Sequence, residues 1–270
     1  MKTYNVLYDN IREPITLGGI LVVRKECEIK VQKGANINFF YKKKINKIEK
    51  DLILNAFSSS IYKFRILKLK RKNKKKFIND QNKSEYYSLT DLNKILKKKD
   101  INLQWNRHVL KKAKNIRKYF GKNLISIHLK YVKPYRASKS NASIVFWNKF
   151  FKKYQARKNL SFLILGHDKI DSKIKNFSNV FWAKKLKIGL SKQLCLISLS
   201  DKFIGMASGI SGAAMFSNKP YLIFKHQKHH ATQMKKELNR NKTFFSKKNQ
   251  YIVISKPNFK ILDNFITNHE

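Results

Sequence analysis

Residues 201–224 read DKFIGMASGISGAAMFSNKPYLIF. An apolar run ending at Met206 leads into Ala207-Ser208-Gly209-Ile210-Ser211-Gly212, then a small-residue stretch and a second apolar run. This is the pattern of a strand, a tight turn and a helix. Glycines let the backbone approach a ligand closely, and the open N–H groups of a first helical turn favour anions. Ser208 and Ser211 add hydroxyl donors. The chemistry that suits such a turn is phosphate binding, with Ser208, Gly209, Ser211 and Gly212 as the candidate donors. A ligand-free turn fits the same residues, so other segments must add to it.

Two do. Ile125–Lys130 (ISIHLK) brings His128 and Lys130 to the end of an apolar strand, with Arg136 shortly after. Lysine neutralises a phosphate but lacks the bidentate fork of arginine. Leu163–Asp168 (LILGHD) places His167 and Asp168 on a polar turn after a strand, where open α/β sheets contact the base or ribose of a nucleotide. Carboxylates able to take a proton are scarce, with 16 Asp plus Glu against 60 Lys plus Arg. Asp9 and Glu13 lie just past the first strand, and Gly18-Gly19 opens the next helix. His226, His229 and His230 (HQKHH) have no nearby Cys or acid, so they are read as a loop and no metal site is assigned.

The elements that must position these groups alternate. Tyr4–Tyr8, Ile37–Tyr41, Leu124–Leu129, Leu160–Leu165, Val180–Trp182, Lys202–Met206, Pro220–Phe224 and Tyr251–Ile254 read as strands. Ile20–Gln32, Ile48–Phe57, Thr90–Lys99, Trp105–Tyr119, Ser143–Tyr154, Leu190–Leu199, Ser211–Phe216 and Phe259–Thr267 read as helices. Lys63–Lys76 is very basic and fits a surface strand or a helix followed by a solvated loop. Alternation over the whole chain predicts an α/β fold with parallel sheets. The expected organisation is two Rossmann-like domains, 1–120 and 121–270, facing a cleft that holds the ligand.

The formal net charge of +44 admits a polyanionic partner, but the lysines are spread along all 270 residues rather than gathered on one face. A biased composition explains that spread, and no recognition helix, zinc finger or RNA-binding aromatic motif accompanies it. Nucleic acid is therefore the weaker expectation. Two cysteines far apart make neither a disulfide framework nor a zinc cluster, which fits a reducing cytoplasm. The start MKTYNVLYDN lacks the apolar core of a signal peptide, and no uncharged run spans a bilayer. Peripheral contact of a basic surface with an anionic inner leaflet extends the same expectation.

Leu190–Phe224 resembles the donor-binding part of GT-B glycosyltransferases, in which a strand of the form D-x-x-I-G leads to S-G, a helix and a P-x-x-x-F strand. The layout looks like the heptosyltransferase type and is also similar to the fucosyltransferase type. In the latter a strand opening the donor domain ends in H-x-R. Here His128 matches and Lys130 stands at the arginine position, with Arg136 as a substitute cation. The resemblance implies a glycosyltransferase using a nucleotide-sugar donor, GDP- or ADP-linked, and a glycan or lipid-linked acceptor, with no bound metal and no cofactor. It implies that His128, Lys130, Arg136, His167, Asp168, Ser208, Gly209, Ser211 and Gly212 hold the donor. Asp9 or Glu13 would then be the acceptor base, with Gly18 and Gly19 beside it. The alternatives are a basic nucleic-acid-binding protein and a non-catalytic glycan-binding relative.

Overall fold

The computed structural model describes residues 2–12, 14–70, 76–78, 96, 100–132, 141–170, 172–226 and 238–267. The expected helix at 90–99 falls outside the described residues, apart from Leu96. The first part runs β1 (Thr3–Tyr8), α1 (Leu17–Lys30), β2 (Asn36–Tyr41), α2 (Lys47–Ser58) and β3 (Lys63–Lys68). These strands form a three-stranded parallel sheet in the order β1-β2-β3. The basic segment after residue 62 thus begins as a strand, with Lys63, Arg65 and Lys68 exposed and the apolar residues between them partly covered.

The rest runs α3 (Arg107–Arg117), β4 (Asn123–His128), α4 (Ile144–Tyr154), β5 (Leu160–Leu165), β6 (Val180–Trp182) and α5 (Leu190–Leu199). It continues with β7 (Lys202–Met206), α6 (Ser211–Met215), β8 (Tyr221–Phe224), β9 (Gln250–Val253) and α7 (Phe259–Thr267). Its six strands are all parallel, in the order β6-β5-β4-β7-β8-β9. Every residue of β5, β7 and β8 is buried. That is why these strands are continuous apolar runs: a parallel sheet covered on both faces has no solvent side.

One face of this sheet packs on Trp147, Phe150 and Phe151 of α4 and on Leu262 and Phe265 of α7. The other face packs on Leu194 and Leu196 of α5 and Val109 and Ala113 of α3. From there one continuous apolar cluster reaches Val6, Tyr8, Ile20 and Phe39 around the smaller sheet. Helix α3 therefore packs with the larger sheet and leads directly into β4.

Capping residues set the helix starts. Thr16 caps α1, its Oγ1 accepting from the Gly19 N–H at 3.1 Å, so α1 begins three residues before Ile20 and encloses Gly18 and Gly19. Asn46 and Glu49 form a reciprocal capping box on α2, each side chain bonding the other's backbone N–H. Helix α1 also carries a buried ionic cluster. Arg24 donates to Glu28 Oε1 at 2.9 Å, to the Ala56 and Gln104 carbonyls at 2.6 Å each, and to Ser59 Oγ at 2.9 Å. Its guanidinium lies over the Trp105 ring. Burial raises the Glu28 carboxyl above its ordinary pKa despite Arg24 and Lys25 beside it. The cluster ties residues 102–105 to α1 and α2.

Candidate active site

In the larger sheet, β4 continues in sequence to β5 on one side, while β7 continues to β8 on the other. The winding direction reverses between β4 and β7, and the carboxyl ends of such a strand pair open a crevice for ligands. His128 is the last residue of β4 and pairs in register with Gly205 of β7. Ser208 follows two residues after β7 ends. The topology thus delivers both residues to the crevice.

Their side chains meet there. Ser208 Oγ lies 2.9 Å from His128 Nδ1, and Asp168 Oδ2 lies 3.1 Å from His128 Nε2. The second carboxylate oxygen, Oδ1, accepts the Tyr131 N–H at 3.1 Å. Burial works to raise the Asp168 carboxyl. The hydrogen bond and charge of His128, with the Tyr131 amide, outweigh it and hold the group below its ordinary value. Gly166 permits this arrangement: its φ is +98°, and a Cβ there would sit 3.0 Å from the His128 ring.

A cavity of about 880 Å³ opens at this point. His128, Lys130, Asp168, Ser208 and Lys225 supply polar lining from the larger sheet. Thr16, Leu17, Gly18, Ile48 and Leu52 line it from α1 and α2. Ile210, Met215, Ile223, Leu238 and Ile252 make the remaining wall largely apolar. The cavity thus lies between the two sheets, with a polar cluster on one side.

Among the described residues Lys130 has no ion-pair or hydrogen-bond partner for its ammonium. Burial lowers its pKa, and Asp168 only partly restores it. An ammonium in that state gains from an incoming anion. Backbone donors are also open. The amides of Ser208, Gly209 and Ile210 have no acceptor among the described residues. Those of the first helical turn are spent: Ser211 N–H points to Ser208 Oγ at 3.5 Å, Gly212 N–H to the Gly209 carbonyl at 3.2 Å, and Ala213 N–H to the Ile210 carbonyl at 3.0 Å. The free donors therefore sit one step earlier than a helix-terminus reading places them, and α6 is only five residues long.

The glycines of the turn serve packing. A Cβ on Gly209 would come within 2.8 Å of Leu17 Cβ and 2.9 Å of the Gly18 nitrogen. Gly212 faces Leu21, and Gly19 faces the Tyr8 hydroxyl. Only glycine lets the 207–210 turn sit so close to α1, and this contact brings α1 into the cavity wall.

Ser211 lines the cavity but donates its hydroxyl to the Met206 carbonyl at 2.9 Å. His167 is exposed and His226 is half-buried, and both lie outside the lining. Asp9 is 6% exposed and is also outside the lining. Its Oδ2 accepts from Lys42 Nζ at 2.6 Å, and Oδ1 from the Ile11 N–H at 3.3 Å. Burial raises its carboxyl. Lys42 and the amides of Ile11 and Arg12 outweigh that and leave it below its ordinary value, which weakens it as a base. Glu13, Arg136, His229 and His230 lie outside the described residues.

The lining residues outside the segments singled out from sequence are Thr16, Leu17, Ile48, Leu52, Val132, Lys225, Leu238 and Ile252. Lys225 carried a signal, since it follows an apolar strand beside the switch point. The apolar ones look like ordinary core positions. No group of three His, Cys, Asp or Glu side chains among the described residues is placed to hold a metal. No helix among them is long and apolar enough to cross a membrane.

No family model matches the chain, and no curated protein sequence matches it. Solved structures do match. A glycosyl transferase of family 9 from Veillonella parvula is 10% identical, with 98% of this chain and 87% of that one covered, at a TM-score of 0.58. The Escherichia coli heptosyltransferase WaaC with ADP-2-deoxy-2-fluoro heptose is 9% identical, covering 94% and 93%, at 0.47. The E. coli ADP-heptose lps heptosyltransferase II is 9% identical, covering 85% and 86%, at 0.49. At 10% identity the likeness to the family 9 structure is one of fold, and that fold is the GT-B arrangement of parallel α/β sheets that the 190–224 segment resembles.

Proposed function

We propose that this GT-B fold carries glycosyl transfer, moving a sugar from a nucleotide-sugar donor to an acceptor hydroxyl. Residues 121–270 form the donor side in this reading and residues 1–120 the acceptor side, with α3 packed on the donor half. The observation that carries the proposal is the cluster at the β4–β7 crevice. A half-buried Lys130 with no hydrogen-bond or ion-pair partner among the described residues, three amides at Ser208–Ile210 with no acceptor among them, and the Ser208 hydroxyl converge on one side of a cavity walled opposite by α1 and α2.

Sugar transfer breaks the bond between the anomeric carbon and the diphosphate, and negative charge grows on the departing oxygen. Positive charge and fixed N–H dipoles aimed there lower the barrier because they need no reorganisation as the bond breaks. Lys130 supplies the charge and the turn supplies the dipoles, so the proposal calls for no metal. Asp168 and Ser208 fix both ring nitrogens of His128, and His128 in turn fixes the Ser208 hydroxyl at the diphosphate position. The apolar wall takes the base and parts of the acceptor. The attacking hydroxyl must lose a proton. Asp9 is committed to Lys42, which leaves Glu13 of the two base candidates named from sequence.

Thermal denaturation with ADP, GDP and UDP tests the proposal. One of them should give saturable stabilisation that rises with the logarithm of ligand concentration. No shift with any of the three, at free concentrations well above millimolar, would remove the donor site and with it the proposal.

A further inference from the structure

We infer that the rim of the cavity made by the loops after β1 and β2 and the first turn of α2 docks on an anionic membrane surface. Ile48 is 72% exposed and Ile11 is 69% exposed, the two most exposed large aliphatic side chains among the described residues. Both belong to connections at the carboxyl edge of the smaller parallel sheet. Asn10 staples those connections together: its Nδ2 donates to the Lys43 carbonyl at 2.6 Å, and its Oδ1 accepts the Lys42 and Lys43 N–H groups at 2.9 and 2.8 Å. The two isoleucines are therefore presented by a pre-formed rim, so little ordering is needed on contact.

The surroundings are cationic. Lys43, Lys44, Lys47 and Lys50 are all exposed within the stretch that carries Ile48. Of the nearby acids, Asp9 is engaged by Lys42 and Glu49 by the α2 capping box, while Asp51 is exposed and outnumbered by the four lysines. Apolar side chains that insert, ringed by lysines that stay at headgroup level, are the two components of interfacial binding. The dispersed charge of the chain accounts for attraction to any polyanion, but it gives no reason for two branched aliphatic residues to stand in water at this edge. Ile48 also lines the cavity, so the docked face opens straight into it. This inference does not depend on glycosyl transfer.

The test is co-sedimentation of the full chain with phosphatidylcholine vesicles, with and without phosphatidylglycerol, at one fixed salt concentration. The wild type should bind the phosphatidylglycerol vesicles. The doubly substituted Ile11→Ser, Ile48→Ser protein has the same charge and should lose on the order of tenfold or more in partitioning. Val145→Ser removes an equally exposed residue, 67%, from the start of α4, and should bind like wild type. An Ile48→Trp protein should add fluorescence that brominated phosphatidylglycerol quenches. Wild-type binding by the double variant, an equal loss in Val145→Ser, or no vesicle binding at all would each overturn the inference.

Discussion

His128 Nε2 lies 3.1 Å from Asp168 Oδ2, a contact between the end of β4 and the turn after β5 that joins residues forty positions apart. Asp168→Asn tests what this contact does. The Asp168 carboxyl is held below its ordinary 3.8 when folded, so it contributes stability at pH values above that figure and loses it as pH falls through the folded value. The melting temperature of the wild type should fall more steeply below about pH 4 than that of the variant. At neutral pH the variant should bind nucleoside diphosphate more weakly, because His128 no longer fixes Ser208. Identical acid limbs would show that the pair is not formed.

Lys130→Met separates binding from stability. Burial depresses the Lys130 pKa, so charging this group costs the folded ligand-free protein at neutral pH. The sign follows: between the folded and unfolded pKa values the unfolded chain binds more protons, and stability rises with pH there. Removing the ammonium should leave the ligand-free melting temperature unchanged or higher. It should weaken diphosphate binding about tenfold or more, the scale of a lost charge-assisted hydrogen bond. Calorimetric titration beside thermal denaturation reads both.

Gly209→Ala places a methyl group within 2.8 Å of Leu17 Cβ. The turn and α1 must then separate, at a cost of about 1–3 kcal/mol typical of overpacking. Denaturant unfolding should show that loss, and ligand affinity should fall with it.

Asp9→Asn and Glu13→Gln divide structure from catalysis. Asp9 anchors Lys42 at 2.6 Å, so its loss should lower stability while turnover survives. Glu13→Gln should lower turnover by roughly 10²–10⁴-fold, the usual worth of a general base, with donor affinity unchanged. Full turnover by Glu13→Gln would remove it as the base.

Much of the larger sheet was legible because buried parallel strands leave long apolar runs. Leu160–Leu165, Leu190–Leu199 and Lys202–Met206 have the same bounds in structure as in sequence. The smaller sheet was less so. Lys63–Lys68 mixes cations with apolar residues because one side faces water, and that pattern fits a strand or a helix. The start of α1 was set by the Thr16 cap rather than by apolar spacing.

At the site, residue types were readable and partnerships were not. Sequence marks His128, Asp168 and Ser208 as polar groups after strands. That they bond one another depends on sheet order and on the left-handed turn at Gly166. Likewise the turn at Ser208–Gly212 reads as an open helix terminus, whereas the Ser211 and Gly212 amides are spent within the turn and Gly209 serves the contact with α1.

Where a diphosphate binds decides whether the β4–β7 crevice is a donor site. The most direct measurement is a crystal structure with the nucleoside diphosphate that stabilises the protein most. The diphosphate oxygens should lie about 3 Å from Lys130 Nζ, Ser208 Oγ and the Gly209 N–H, ordinary hydrogen-bond distances. A diphosphate bound away from the β4–β7 crevice, or held there with Lys130 turned to solvent, would contradict it.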